Sequence, residues 1–141
     1  MSSLILSRRD LEFLLHEWLE VETLTKRPRF AEHSRETFDA VMELAERIAT
    51  EHFAPHNRTA DEHEPRFVDG RVEMIPEVGR ALEVFRESGI MAGTFDEEYG
   101  GMQLPQTVGQ AAFAWFKAAN VGTSSYPFLT MGNARLLLAH G

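Results

Sequence analysis

The sequence has no cysteine at all, which excludes disulfides and thiolate metal sites and is compatible with a reducing compartment. It also lacks a positive excess. Fourteen Lys and Arg face 22 Asp and Glu, a formal net charge of −8, so a general nucleic-acid binder, which must neutralise phosphates, is excluded. Long apolar runs are missing too. The stretch Leu136-Leu137-Leu138-Ala139 falls far short of the roughly 20 residues of a membrane span. After Met1-Ser2-Ser3 only Leu4-Ile5-Leu6 precede Arg8, Arg9 and Asp10, whereas a secretory core needs about 7–15 apolar residues. A cytoplasmic protein without an integral membrane segment is the expectation. Period-two alternation, internal repeats and low-complexity tracts are likewise absent, which argues against an extended sheet or a solenoid.

What remains is 141 residues, 43% apolar and 26% charged, enough for one domain with its own core. Helical spacing of apolar residues organises it. Ser7 caps a helix over residues 8–22, with Asp10 three residues on and Leu11, Leu14, Leu15, Trp18 and Leu19 on one face. Lys26-Arg27-Pro28 stops the segment, because proline disfavours helix in the residue before it. A second helix covers residues 35–53, capped by Ser34, with Phe38, Val41, Met42, Ala45, Ile48, Ala49 and Phe53 as its stripe and Pro55 as its end. Residues 56–73 read as a long polar loop with a turn at Val68-Asp69-Gly70-Arg71.

A third helix opens at Pro76, a favoured first-turn residue, and ends at Ser88-Gly89. The paired Gly100-Gly101 marks a sharp turn. A fourth helix spans residues 106–120 through Val108, Ala111, Ala112, Trp115, Phe116 and Ala119, broken by Gly122. A fifth spans residues 125–140, with Phe128, Leu129, Leu136, Leu137 and Leu138 facing inward. The expected fold is all-α, about five main helices in one bundle-like domain.

Several chemistry-bearing clusters compete with plain packing as explanations. His52, His56, Asp61, Glu62, His63 and Glu64 combine imidazole and carboxylate, a zinc-compatible set. Pro55 interrupts the helical spacing of the two histidines, however, so a solvated surface loop outweighs a metal site and no metal ligand is assigned. Adjacent Glu97-Glu98 point apart and form no acid–base pair. Gly100-Gly101 lacks the G-x-G-x-x-G spacing of a phosphate loop. Trp18 and the Trp115-Phe116 pair read as core. Ser124-Ser125 and His140 form no nucleophile–base arrangement. No catalytic residue is assigned.

The order of signals is more specific than any one of them. Phe95-Asp96-Glu97-Glu98-Tyr99-Gly100-Gly101-Met102-Gln103-Leu104-Pro105 resembles the P-x-E-Y-G-G-x-G-L turn of acyl-CoA dehydrogenases. It follows a short helix and a Gly, and precedes an Ala-rich helix, a Gly-Thr-Ser break and a closing Leu136-Leu137-Leu138-Ala139-His140-Gly141. The opening Asp10-Leu11-Glu12-Phe13-Leu14-Leu15, Ala54-Pro55-His56-Asn57-Arg58 and Tyr126-Pro127-Phe128-Leu129-Thr130-Met131-Gly132 resemble segments of the longer bacterial members, including the methylmercaptopropionyl-CoA dehydrogenases. Three departures stand out: the glycine expected after Gln103 is missing, Ala60 stands before Asp61 where the family often has Gly, and Phe95 stands in the usual proline or alanine region.

The resemblance divides the chain into an N-terminal extension with one helix, residues 1–33, and the N-terminal helical domain of the family, residues 34–141. It implies an FAD-dependent enzyme that dehydrogenates an acyl-CoA thioester to the 2-enoyl-CoA. It also implies an electron-transfer acceptor as partner and a homo-oligomer. The flavin domain and the catalytic base of such an enzyme lie outside these residues, so the chain alone is expected to be inactive and to bind no FAD. Thr123, Tyr126, Pro127 and Met131 are the pocket residues implied, along the acyl chain, with Tyr126 and Met131 flanking one apolar cleft; the competing reading makes Phe128, Leu129 and Met131 plain core. The rival expectation is an independent helical module that binds a protein partner. Exposed apolar surface separates the two: a domain made to pack on neighbours exposes more than a few hundred Å² of it.

Overall fold

The computed structural model describes residues 4–141; Met1, Ser2 and Ser3, the start of the supposed extension, lie outside the described residues. Six α-helices appear in the order α1 (Arg8–Glu12), α2 (Arg35–Ile48), α3 (Asn57–Glu62), α4 (Pro76–Glu87), α5 (Gln106–Ala119) and α6 (Val121–His140). One antiparallel hairpin, β1 (Arg66–Val68) and β2 (Arg71–Glu73), is paired as Arg66 with Glu73, Phe67 with Val72 and Val68 with Arg71. The fold is all-α with a minimal sheet.

Local signals explain most boundaries. Ser34 and Thr37 form a reciprocal capping box: the Ser34 hydroxyl accepts the Thr37 N–H and the Thr37 hydroxyl accepts the Ser34 N–H, both at 3.3 Å. Two of the orphan donors at the start of α2 are thereby satisfied. The expected stripe of α2 is buried from Phe38 to Ile48 and continues through a π-helical turn, Ala49–Phe53. Pro76 opens α4, and Gly89 follows its end with φ 77°. Arg27 is extended before Pro28, as the proline requires.

Several expectations fail for physical reasons. The first helix does not run to residue 22. After α1 the chain widens into a π-helical turn, Phe13–Trp18, passes through a left-handed Glu20 (φ 45°) and tightens into a 3-10 segment, Val21–Lys26. The change of period rotates the stripe, so Leu15 is buried while Leu14, Leu19 and Trp18, at 70% exposure, face outward. Trp18 is therefore not core. Pro55 does not end helical structure; it sits in the first turn of a 3-10 segment, Ala54–His56, that leads into α3, a position where its missing N–H costs nothing. Residues 56–73 are thus not one loop, although the expected turn is found as the tip of the hairpin, at Asp69 and Gly70. Gly122 breaks nothing. The break is Asn120, extended at φ −163°, and α6 begins at Val121 rather than near residue 125. Phe128, Leu129, Leu136, Leu137 and Leu138 are exposed, not inward.

The core lies between α2, α4 and α5. Its centre is four buried rings, Phe53, Phe85, Phe113 and Phe116. Phe116 meets Phe85 edge-on at 4.8 Å and Phe53 at 5.0 Å between centroids, and Phe113 meets Phe85 at 6.0 Å. Edge-to-face contacts of this kind add about 0.5–1.5 kcal/mol each beyond burial. Leu15 and Val21 join the same core. Their segment is tied to α2 by the buried His16, whose Nδ1 lies 2.6 Å from Glu22 and whose Nε2 lies 3.0 Å from Asp39. Arg35 stands 3.5 Å and 3.6 Å from the same two carboxylates. No helix among the described residues is long and apolar enough to cross a membrane.

Candidate functional site

The junction of α5 and α6 gathers the residues implied for the pocket. Asn120 organises it. Its side-chain oxygen accepts the Thr123 N–H at 3.0 Å, capping α6, and its Nδ2 donates to the carbonyl of Phe53 at 3.2 Å. Both groups are buried, so the amide satisfies two partners that would otherwise be lost to the interior. Thr123 is buried and its hydroxyl lies 2.8 Å from Nε2 of His56, itself only 4% exposed. The surface-loop reading of the histidine cluster therefore fails at His56. It reaches inward because Pro55 starts a new helical turn, and its polar ring needs the Thr123 hydroxyl there. Burial holds the His56 pKa below the ordinary histidine value; a backbone hydrogen bond with His52 and the charge of Glu77 oppose this, and Arg80 adds to it. Among the described residues, no group of three or more His, Cys, Asp or Glu side chains is placed to hold a metal ion.

The four pocket residues are not brought to one cleft. Thr123 and Tyr126 line a cleft of about 230 Å³ between α6 and the segment after α3, beside Asp61, His63, Met74 and Val78. Met131, five residues beyond Tyr126, turns to another face of the helix. It lines a broad, mostly apolar groove of about 490 Å³ with Met91, Phe95, Tyr99, Thr130, Leu137 and Leu138, and also a narrower cleft of about 160 Å³ with Phe113, Phe128 and Arg135. Pro127 is buried inside α6. Its ring removes one helical N–H, the bond that would reach back to the Thr123 carbonyl.

The E-Y-G-G turn borders the broad groove. Tyr99 lines it, and its hydroxyl pKa is raised, chiefly by the charge of Glu98. Gly101 donates to the Asp96 carbonyl at 3.0 Å. A Cβ at Gly101 would lie 2.0 Å from the Phe95 carbonyl oxygen, so only glycine closes this turn. The backbone here is bonded to itself and makes no cradle for a phosphate.

Sequence reasoning missed His56, Asn120 and Arg135 as members of this region. A signal for Asn120 existed, since Asn followed three residues later by Thr reads as a helix cap. None existed for the pairing of His56 with Thr123, which are 67 residues apart.

No protein-family model matches the chain. It is 30% identical over 127 residues to the 3-methylmercaptopropionyl-CoA dehydrogenase of Ruegeria pomeroyi, an alignment covering 88% of this chain and 21% of that protein. The chain thus spans about a fifth of the length of the curated relative it matches. On that similarity, the chain is distantly related to an acyl-CoA dehydrogenase.

Proposed function

We propose that this chain is the N-terminal helical domain of an FAD-dependent acyl-CoA dehydrogenase, helping to wall the acyl pocket and to form the oligomer, and inactive by itself. The observation that carries the reading is the apolar surface that α6 leaves exposed on several sides. Phe128, Leu129, Leu136, Leu137 and Leu138 are all exposed, and Leu137 and Leu138 form one side of the apolar groove beside Met131. A self-sufficient helical module has little reason to leave this much apolar surface in water. A domain that packs on a neighbour and leads an acyl chain between the two does.

The chain's own residues fit the groove and not the flavin. Met91, Met131 and Phe95 offer adaptable apolar walls suited to an alkyl chain. The glycine turn is closed on its own backbone, so no residue here is assigned to FAD and no redox step is routed through this chain. When bound elsewhere in such an enzyme, the flavin supplies the acceptor for the β-hydrogen of the acyl group. The acyl-CoA, an electron acceptor and a cytoplasmic location belong to the same proposal.

Met131 tests it. In the protein that carries this chain, Met131→Phe shortens the groove and should shift the chain-length profile by roughly 1–3 kcal/mol in kcat/KM, the size of one or two methylenes in an apolar pocket. An unchanged profile with only stability lost would return Met131 to plain packing.

A further inference from the structure

The narrow cleft on the other side of Met131 carries a separate inference, which goes beyond the acyl-CoA reading and does not depend on it. Arg135 stands out among the described Lys and Arg residues. Every other one is exposed, and Arg135 alone is half-buried. No carboxylate lies within ion-pair reach of it among the described residues. Its partners are the Thr94 hydroxyl, to which Nη2 donates, and the ring of Phe95, 5.5 Å below the guanidinium carbon. In a chain with eight more acids than bases, a half-buried guanidinium held between a neutral hydroxyl and an aromatic face is unusual. Arginine cannot shed its charge, so its remaining N–H groups are available to an anion.

The surroundings define which anion. The cleft is about 160 Å³ and is lined by Ile90, Phe113, Phe128 and Met131 on its apolar side, with Thr94 and Gln110 as polar neighbours and no acidic residue. Phe113 and Phe128 lie nearly parallel, 6.2 Å apart. Another cation, Lys117, is drawn over those two rings, at 5.3 Å and 4.7 Å, and does not line the cleft. Gly109 makes the shape feasible. A Cβ there would lie 2.3 Å from the Thr94 methyl, so glycine lets Thr94 close on α5 and hold Arg135 at the mouth. One cation with a short apolar slot fits a monoanion carrying a short aliphatic stem. It does not fit a bare polyanion, which calls for several donors.

We propose that this cleft is a binding site for short aliphatic carboxylates, the carboxylate paired with Arg135 and the stem lying against Phe113, Phe128 and Met131. Nuclear magnetic resonance titrations of the 141-residue chain with n-pentanoate, n-pentanamide and inorganic phosphate test it. Pentanoate should shift the Arg135 Nε–H and Met131 methyl signals saturably, pentanamide should bind at least tenfold more weakly, and phosphate should not saturate. Arg135→Gln should weaken pentanoate at least tenfold, whereas Arg47→Gln, at an exposed cation, should leave it unchanged.

Should Arg135→Gln fail to fold, Gly132→Leu decides. A Cβ at Gly132 meets nothing within 4 Å, so the leucine fills the cleft without displacing Arg135 and should abolish binding. Equal binding of the amide, equal binding of phosphate, or pentanoate affinity retained in either variant would overturn the proposal.

Discussion

Helices α5 and α6 are neighbours in sequence and both are rich in apolar residues, yet they are spent differently. Val108, Ala112, Phe113, Trp115, Phe116 and Ala119 of α5 are buried, against α2, α4 and the Phe53 turn. On α6 only Thr123, Ser124 and Pro127 are buried, all in its first two turns, while Leu137 is 68% exposed. The buried part of α6 is therefore its polar end and the exposed part its apolar end. Hydrophobicity sets how much surface wants cover; the position of the partner sets which surface receives it. In α5 the partner lies within the chain, whereas the far half of α6 meets it through Met131 and Arg135 and leaves its leucines exposed.

Breaking that comparison by substitution gives the largest expected effect at the ring cluster. Phe116→Ala should cost about 3–5 kcal/mol in chemical denaturation, since it removes two edge-on contacts and leaves a cavity. Leu137→Ala on α6 should stay within about 0.5 kcal/mol in the same assay. Equal losses at the two positions would mean that α6 is covered in solution.

A smaller loss is expected at the joint between the helices. Asn120→Ala should cost about 1–3 kcal/mol, because it uncaps α6 and strands the Phe53 carbonyl in the interior. Asn120→Asp should keep the cap and lose only the donation to Phe53. Denaturation of the two variants side by side separates the two roles.

The smallest effect is pH-linked and sharpens the same joint. His56 titrates below the ordinary histidine range when folded, mainly because burial disfavours its charged form. Its contribution is therefore fully present above the unfolded histidine value of about 6.5 and is lost as pH falls below it toward the lowered folded value. Denaturation midpoints should fall as pH is lowered from 8 to 5, and His56→Asn should fall less over the same range. A variant with an unchanged slope would show that other groups set the dependence.

Much of the fold was legible in the sequence because it rests on local chemistry. Ser34, Pro76 and the Ser88-Gly89 stop act within one turn of themselves, and the stripe of α2 has one period throughout. What was not legible depends on changes of period or on distant partners. The π-helical turns at Phe13–Trp18 and Ala49–Phe53 alter the angle per residue, so Trp18 could not be oriented by helical spacing. Pro55 read as a stop, yet it sits in the first turn of a new 3-10 segment. Of the residues implied for the pocket, Thr123 and Tyr126 line one cleft and Met131 two others, because five residues along a helix turn the side chain well away from its starting face.

The central claim, that this helical domain belongs to an acyl-CoA dehydrogenase, is tested most directly by an anaerobic titration of the purified protein that carries the chain, followed through its flavin absorbance. The account predicts bound flavin that bleaches on addition of an acyl-CoA of suitable length, with Leu137→Glu weakening flavin retention by disturbing the exposed face of α6. A protein that purifies without flavin, or one whose flavin no acyl-CoA reduces, would contradict it.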